Sequence, residues 1–199
     1  MPLVLKAQNP PGSPAPRAGS IRAGDRDLAL DELIEIERKS FPMAIKEGDK
    51  IPNVKVKAAD MSDITTDALF TGKKVVLFAV PGAFTPTCSN KHLPGFIEKA
   101  DEIRAKGVDD IICMSVNDAF VMKAWGEDRG AGDKVRMIAD GNGDLSKALG
   151  LEFDGSGIGF GLRCQRFAAI VQNGVVKKLA VDAGGKFEVS SAEAILKAL

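Results

Sequence analysis

The residues best suited to covalent chemistry are three cysteines, Cys88, Cys113 and Cys164. Cys88 ends the stretch PGAFTPTC at 81–88, which also holds two prolines, a glycine and two threonines. An apolar run, KVVLFAV at 74–80, precedes it, and a mixed run follows. The pattern places Cys88 at a strand-to-helix junction, beside a helix N-terminus. Free N–H groups and the positive end of the helix dipole favour the thiolate there, which is the nucleophilic form. Thr85 and Thr87 supply hydroxyls that can donate to a sulfur anion or to a bound oxygen substrate. Pro81 and Pro86 stiffen the loop and remove two N–H donors. On position alone a second reading stands beside the reactive one: cysteine is among the most buried residue types, and a lone cysteine is often an inert core filler.

The other candidate groups narrow the chemistry. His92, the single histidine, lies four residues after Cys88 and faces the same side of a helix. A metal pair or a general base is conceivable, but one Cys–His pair does not complete a tetrahedral metal site. The cysteine count is odd and low and the spacing irregular, unlike a secreted disulfide framework, so we expect a reducing compartment. There is no CxxC, which removes a zinc ribbon and a thioredoxin-type dithiol at the level of motif. Lys plus Arg is 27 and Asp plus Glu is 27, so nothing points to nucleic acid as a partner. No apolar stretch reaches the roughly 18–20 residues of a membrane span. No charged segment followed by an apolar core opens the sequence as a secretory signal would.

The elements that must position these groups read as an α/β sandwich. Apolar runs at 74–80, 110–116, 135–140, 166–172 and 175–181 predict a central mixed sheet of about five core strands. In the second run Ile111 and Cys113 fall on one face, Ile112 and Met114 on the other. Asn173-Gly174 predicts a two-residue hairpin between the last two strands. Helices are expected at about 89–106, 119–129 and 144–150. Ser190 or Ser191 can cap a C-terminal helix. We expect residues 1–42 to be an N-terminal extension and 43–199 the domain. Within the extension, 1–24 is rich in Pro, Gly, Ala and Ser and free of acids, and is expected to be disordered; 27–39 has the spacing of a short amphipathic helix.

PGAFTPTC, with KHLPGF downstream, resembles the active-site signature of the peroxiredoxins, thiol peroxidases of the thioredoxin fold. The general pattern Pro-x-x-x-Thr-x-x-Cys falls on Pro81, Thr85 and Cys88. The longer wording is similar to the type II, or peroxiredoxin-5, class, closest to plant and bacterial members. The runs at 115–125, 139–151 and 165–176 and the ending GGKFEVSSAEAILKAL follow the same class, so the resemblance spans about 43–199. It implies reduction of hydrogen peroxide and organic hydroperoxides with no cofactor and no metal. Cys88 would be the peroxidatic thiolate, Thr85 would bond the peroxide, and Pro81 would shield the sulfur from water. Arg166, in CQRFAA, would favour the thiolate and stabilise charge developing on oxygen. Without the motif Arg166 reads as a surface salt-bridge residue. His92 would be a site neighbour and not a base. Trp125 and Phe84 read as packing or dimer-contact residues.

The resolving thiol is open at this level. Animal members carry it near the C-terminus, where this sequence has no cysteine. Plant-like members carry it 25 residues after the first, and Cys113 stands at that distance. Cys164 is the rival: it lies two residues before Arg166 and would share its face if one strand ran through both. A third possibility is resolution by glutathione or a glutaredoxin. The implied partners are hydroperoxides, thioredoxin or glutaredoxin with glutathione as reductant, and a second copy in a homodimer. A non-enzymatic peroxide sensor or redox adaptor is the alternative function. The expected location is the cytoplasm, with mitochondrion or plastid as alternatives if 1–24 is a transit peptide.

Overall fold

The computed structural model describes residues 44–199. The disordered segment and amphipathic helix expected within 1–42 lie outside the described residues. The first strands and helix are β1 (Lys55–Ala58), β2 (Asp63–Thr65), α1 (Thr66–Phe70) and β3 (Lys74–Ala79). After a π-helical turn at Cys88–His92 come α2 (Leu93–Glu98), α3 (Ala100–Ala105), β4 (Asp110–Ser115), α4 (Ala119–Asp128), β5 (Arg136–Ala139) and α5 (Asp144–Ala148). The chain then runs through β6 (Glu152–Asp154), β7 (Leu162–Cys164), β8 (Arg166–Gln172), β9 (Val175–Asp182) and α6 (Ala192–Ala198).

The central sheet is mixed, in the order β2-β1-β5-β4-β3-β8-β9. β3, β4 and β5 are parallel, and β8 runs antiparallel to β3. All five expected strands are present, but the sheet has seven. The two extra strands extend the β5 edge, where KVKA and DIT bury a single residue fully, Val56. β6 and β7 form a separate two-stranded ribbon. The hairpin between β8 and β9 turns on Asn173 and Gly174, at φ 50° and 76°. Both lie in the left-handed region that this tight turn requires.

Period-two alternation sorts the side chains into two cores. Val76, Phe78, Ile111, Cys113 and Ala168 pack under α2, α3, α4 and α6 on one face. Val75, Leu77, Ile112, Met114 and Phe167 pack against α1 and α5 on the other. The run expected as one helix at 89–106 is three pieces. Its first is the π-helical turn, where Leu93 N–H donates to the Cys88 carbonyl just ahead of Pro94, which has no N–H. Among the described residues no helix is long and apolar enough to cross a membrane.

Candidate active site

β3 delivers the chain to the site. It is buried between β4 and β8 and ends as Val80 N–H donates to the Met114 carbonyl at 3.1 Å. The loop beyond is held from below: Ala83 N–H donates to Asn117 Oδ1 at 3.0 Å, and Thr85 Oγ1 donates to the Gly82 carbonyl at 2.8 Å. Phe84 takes φ 61°, a left-handed conformation costing a non-glycine residue about 1 kcal/mol. Helical geometry starts at Pro86, where a missing N–H is harmless, and places Cys88 in the first turn. Trp125 Nε1 donates to Ser89 Oγ at 3.0 Å and pins that turn to α4. Trp125 is fully buried, a packing residue, while Phe84 stands 51% exposed.

Cys88 is completely buried in the core face shared by α2 and α4. Arg166, first residue of β8, alternates with Phe167 and so projects to that same face. It is 5% exposed. Its Nη2 donates to Cys88 Sγ at 3.4 Å, and its Nη1 donates to His92 Nδ1 at 3.1 Å. No carboxylate among the described residues lies within ion-pair distance of it. The surface salt-bridge alternative for Arg166 therefore fails. Its Nε, also buried, has no partner among the described residues. Arg166 and Pro81 line a cleft of ≈ 420 Å³ together with Glu152 and Asp182.

His92 is buried between Phe78, Phe96 and Phe187, with ring centroids 5.0, 5.6 and 5.0 Å away. Its Nε2 sits 2.9 Å from the Ser190 carbonyl, which can only accept, and its Nδ1 faces Arg166, which can only donate. The partners thus fix a neutral ring with its proton on Nε2. Burial, then the Arg166 charge, push the His92 pKa down to about 3, against smaller opposing effects of Ser190 and Asp182. A ring in this state cannot take up a proton at Nδ1 while Arg166 holds it.

The other two cysteines part company. Cys113 lies in β4 on the Cys88 face, and burial first, then the nearby Cys88, push its thiol well above the ordinary range. Cys164 belongs to β7, whose partner is β6. The strand does not run through to Arg166: at Gln165 the chain changes pairing, its N–H donating to the Leu151 carbonyl at 2.8 Å. Cys164 accordingly drops into the opposite core, where burial pushes its thiol up to about 12. All three cysteines are free.

Two further residues belong to this constellation: Asp182, which the sequence did not single out, and Ser190, which it offered only as a helix cap. Asp182, at the end of β9, accepts from Ser190 Oγ at 2.5 Å, and Ser190 is wholly buried behind His92. Ser191, not Ser190, caps α6.

The redoxin family model matches residues 46–196. The chain is 55% identical over 160 residues to Peroxiredoxin-2E-2, chloroplastic, of Oryza sativa subsp. japonica, covering 76% of this chain and 71% of that protein. The chain belongs to the redoxin family, as a type II peroxiredoxin. Peroxiredoxin-2B of Arabidopsis thaliana is 51% identical over 162 residues, 79% of this chain and 99% of that protein. Among solved structures, reduced Prx3 of Vibrio vulnificus in complex with H2O2 superposes with TM-score 0.75 at 57% identity, covering 78% of this chain and 99% of the other. The 1-Cys peroxiredoxin of Plasmodium falciparum gives 0.72 at 35% identity, covering 76% and 96%. This peroxiredoxin has the thioredoxin fold and is a thiol peroxidase, an oxidoreductase; the adaptor alternative is not favoured.

Proposed function

We propose that Cys88 is the peroxidatic residue and Arg166 its activator. The observation that carries this is the buried Arg166 Nη2 at 3.4 Å from Cys88 Sγ, with no carboxylate among the described residues within ion-pair distance of the guanidinium. A fixed guanidinium beside sulfur favours the thiolate and would stabilise negative charge as the O–O bond breaks. The thiolate attacks one peroxide oxygen; the sulfur keeps that oxygen as sulfenic acid, and the other leaves as water or alcohol with a proton from solvent. Arg166 Nε is the buried donor still free to meet a peroxide oxygen. Thr85 donates to Gly82, so its oxygen can accept a hydrogen bond from the hydroperoxide O–H. Pro81 walls the cleft over Arg166 and limits water. His92 holds Arg166 in place and exchanges no proton.

Cys113 is the resolving candidate, because it shares a core face with Cys88, whereas Cys164 lies beneath the other face. Its thiol would attack the sulfenic sulfur and release water. Cys113 is buried inside β4 and Cys88 in the π-helical turn, so local unfolding of that turn would carry Cys88 to disulfide geometry, with Cα atoms within about 7 Å. The electron source is a thioredoxin-like reductant, either thioredoxin itself or glutaredoxin with glutathione. The protein acts as a homodimer, with exposed Phe84 near the contact. Residues 1–42 are an extension of the 43–199 domain, and the chloroplastic relatives support the plastid as its location.

Peroxide treatment of the full chain followed by peptide mass mapping tests this. Oxidation first at Cys88 and then a Cys88–Cys113 link is expected. A Cys88–Cys164 link overturns the assignment of Cys113. A persistent sulfenic acid or a glutathione adduct moves resolution to an external thiol. Oxidation that begins at Cys113 or Cys164 refutes the site.

A further inference from the structure

Asp182 and Arg166 are directly opposed across the β9–β8 ladder. Such a pair ordinarily makes a salt bridge, which would neutralise the charge that the thiolate needs. Asp182 instead turns to the loop that follows it. Its Oδ1 accepts from Glu188 N–H at 3.0 Å and Val189 N–H at 2.8 Å. Its Oδ2 accepts from Ser190 Oγ at 2.5 Å and Ser190 N–H at 3.3 Å. Burial opposes its ionisation, but these four donors outweigh burial and hold the carboxyl below its ordinary range. Gly184 and Gly185, both at positive φ, let the chain turn back on itself so that 188–190 meet the carboxylate.

The loop so closed ends at Ser190, whose carbonyl receives His92 Nε2–H at 2.9 Å. It also carries Phe187, whose ring lies 5.0 Å from the His92 ring and 5.8 Å from Arg166 Cζ. From Asp182 an unbroken series of contacts therefore passes through Ser190, His92 and Arg166 to Cys88. We propose that Asp182 is a positioning residue for peroxide reduction: it clasps the 183–190 loop, and through Ser190 and His92 sets the orientation of Arg166 on Cys88. This rests on the reading of Cys88 and Arg166 given above.

The test is Asp182→Asn in the full-length reduced protein. The amide keeps one oxygen for the 188 and 189 N–H groups but presents N–H where Ser190 needs an acceptor. Two quantities are read: kcat/KM for H2O2, and the pH midpoint of Cys88 alkylation. Loosened orientation is expected to lower kcat/KM about ten- to hundredfold and to move the alkylation midpoint upward. Asp182→Glu is expected to recover part of both, and Ser190→Ala to shift both in the same direction by less. A purely structural role would lower the active fraction without moving the midpoint. If Asp182 acted through its charge alone, its removal would move the midpoint downward. Either result overturns the proposal, as does a folded Asp182→Asn protein with unchanged kcat/KM and midpoint. If Asp182→Asn does not fold, Ser190→Ala decides on the same two readouts. An unreactive Cys88 in the unaltered protein would refute the site itself, separately from the clasp.

Discussion

His92 gives the sharpest physical prediction, because it is the only histidine in the chain. Its folded pKa is about 3 against an ordinary 6.5, with burial and then Arg166 as the causes. The unfolded chain therefore binds a proton in the window between these values and the folded protein does not. Stability from this group is fully present above about pH 6.5 and is lost as pH falls toward 3. The loss is RT ln(1 + 10^(6.5 − pH)), or about 1.4 kcal/mol at pH ~5.5 and about 2 kcal/mol at pH ~5. Working between pH ~7.5 and ~5.5 keeps the carboxylates almost fully ionised in the unfolded chain. Urea unfolding of the reduced protein across that window should show the loss as a falling midpoint at constant slope. His92→Asn should lower stability at every pH yet flatten this dependence. A wild-type midpoint that does not fall, or falls equally in His92→Asn, would refute the buried neutral ring and with it the way Arg166 is held.

Three further outcomes follow from the geometry. Arg166→Lys replaces a fork that reaches both His92 and Cys88 with a single ammonium, and stopped-flow kinetics should show H2O2 reduction slowed about 10²-fold; a rate within threefold would contradict the activating role. Ser191→Ala removes the cap that accepts from Ala194 N–H and should cost about 1 kcal/mol in urea unfolding, leaving peroxidase turnover unchanged. Cys113→Ser should leave the Cys88 sulfenic acid long-lived after one equivalent of peroxide, seen by mass spectrometry with a sulfenic-acid trap. Rapid loss of that species in the absence of any other thiol would exclude Cys113 as resolver.

Much of the fold was legible because the five buried strands are continuous apolar runs and Asn173-Gly174 is a turn with one favoured geometry. β1 and β2 escaped because strands of four and three residues, KVKA and DIT, are too short for their alternation to stand out beside the long apolar runs. The break at Gln165 was equally invisible: alternation along 162–172 does not reveal that the chain changes partners, and this break sends Cys164 to the wrong face for the site. Cys88, Thr85 and Pro81 are neighbours in sequence and could be read together from one stretch. Arg166 is 78 residues from Cys88 and came from resemblance to a family, not from spacing. Asp182 and Ser190 look locally like a strand end and a helix cap. Their part emerges only where β9, its loop and the Cys88–His92 turn converge; the doubled serine at 190–191, with one member left over once the cap is filled, was the only local sign.

The most direct test of the account is peroxide turnover by four full-length proteins: unaltered, Cys88→Ser, Cys113→Ser and Cys164→Ser. Each is supplied in parallel with thioredoxin and its reductase or with glutaredoxin and glutathione. Cys88→Ser alone is expected to fall to background with both reductants, while Cys164→Ser matches the unaltered protein. Peroxide consumption above background by Cys88→Ser would contradict it.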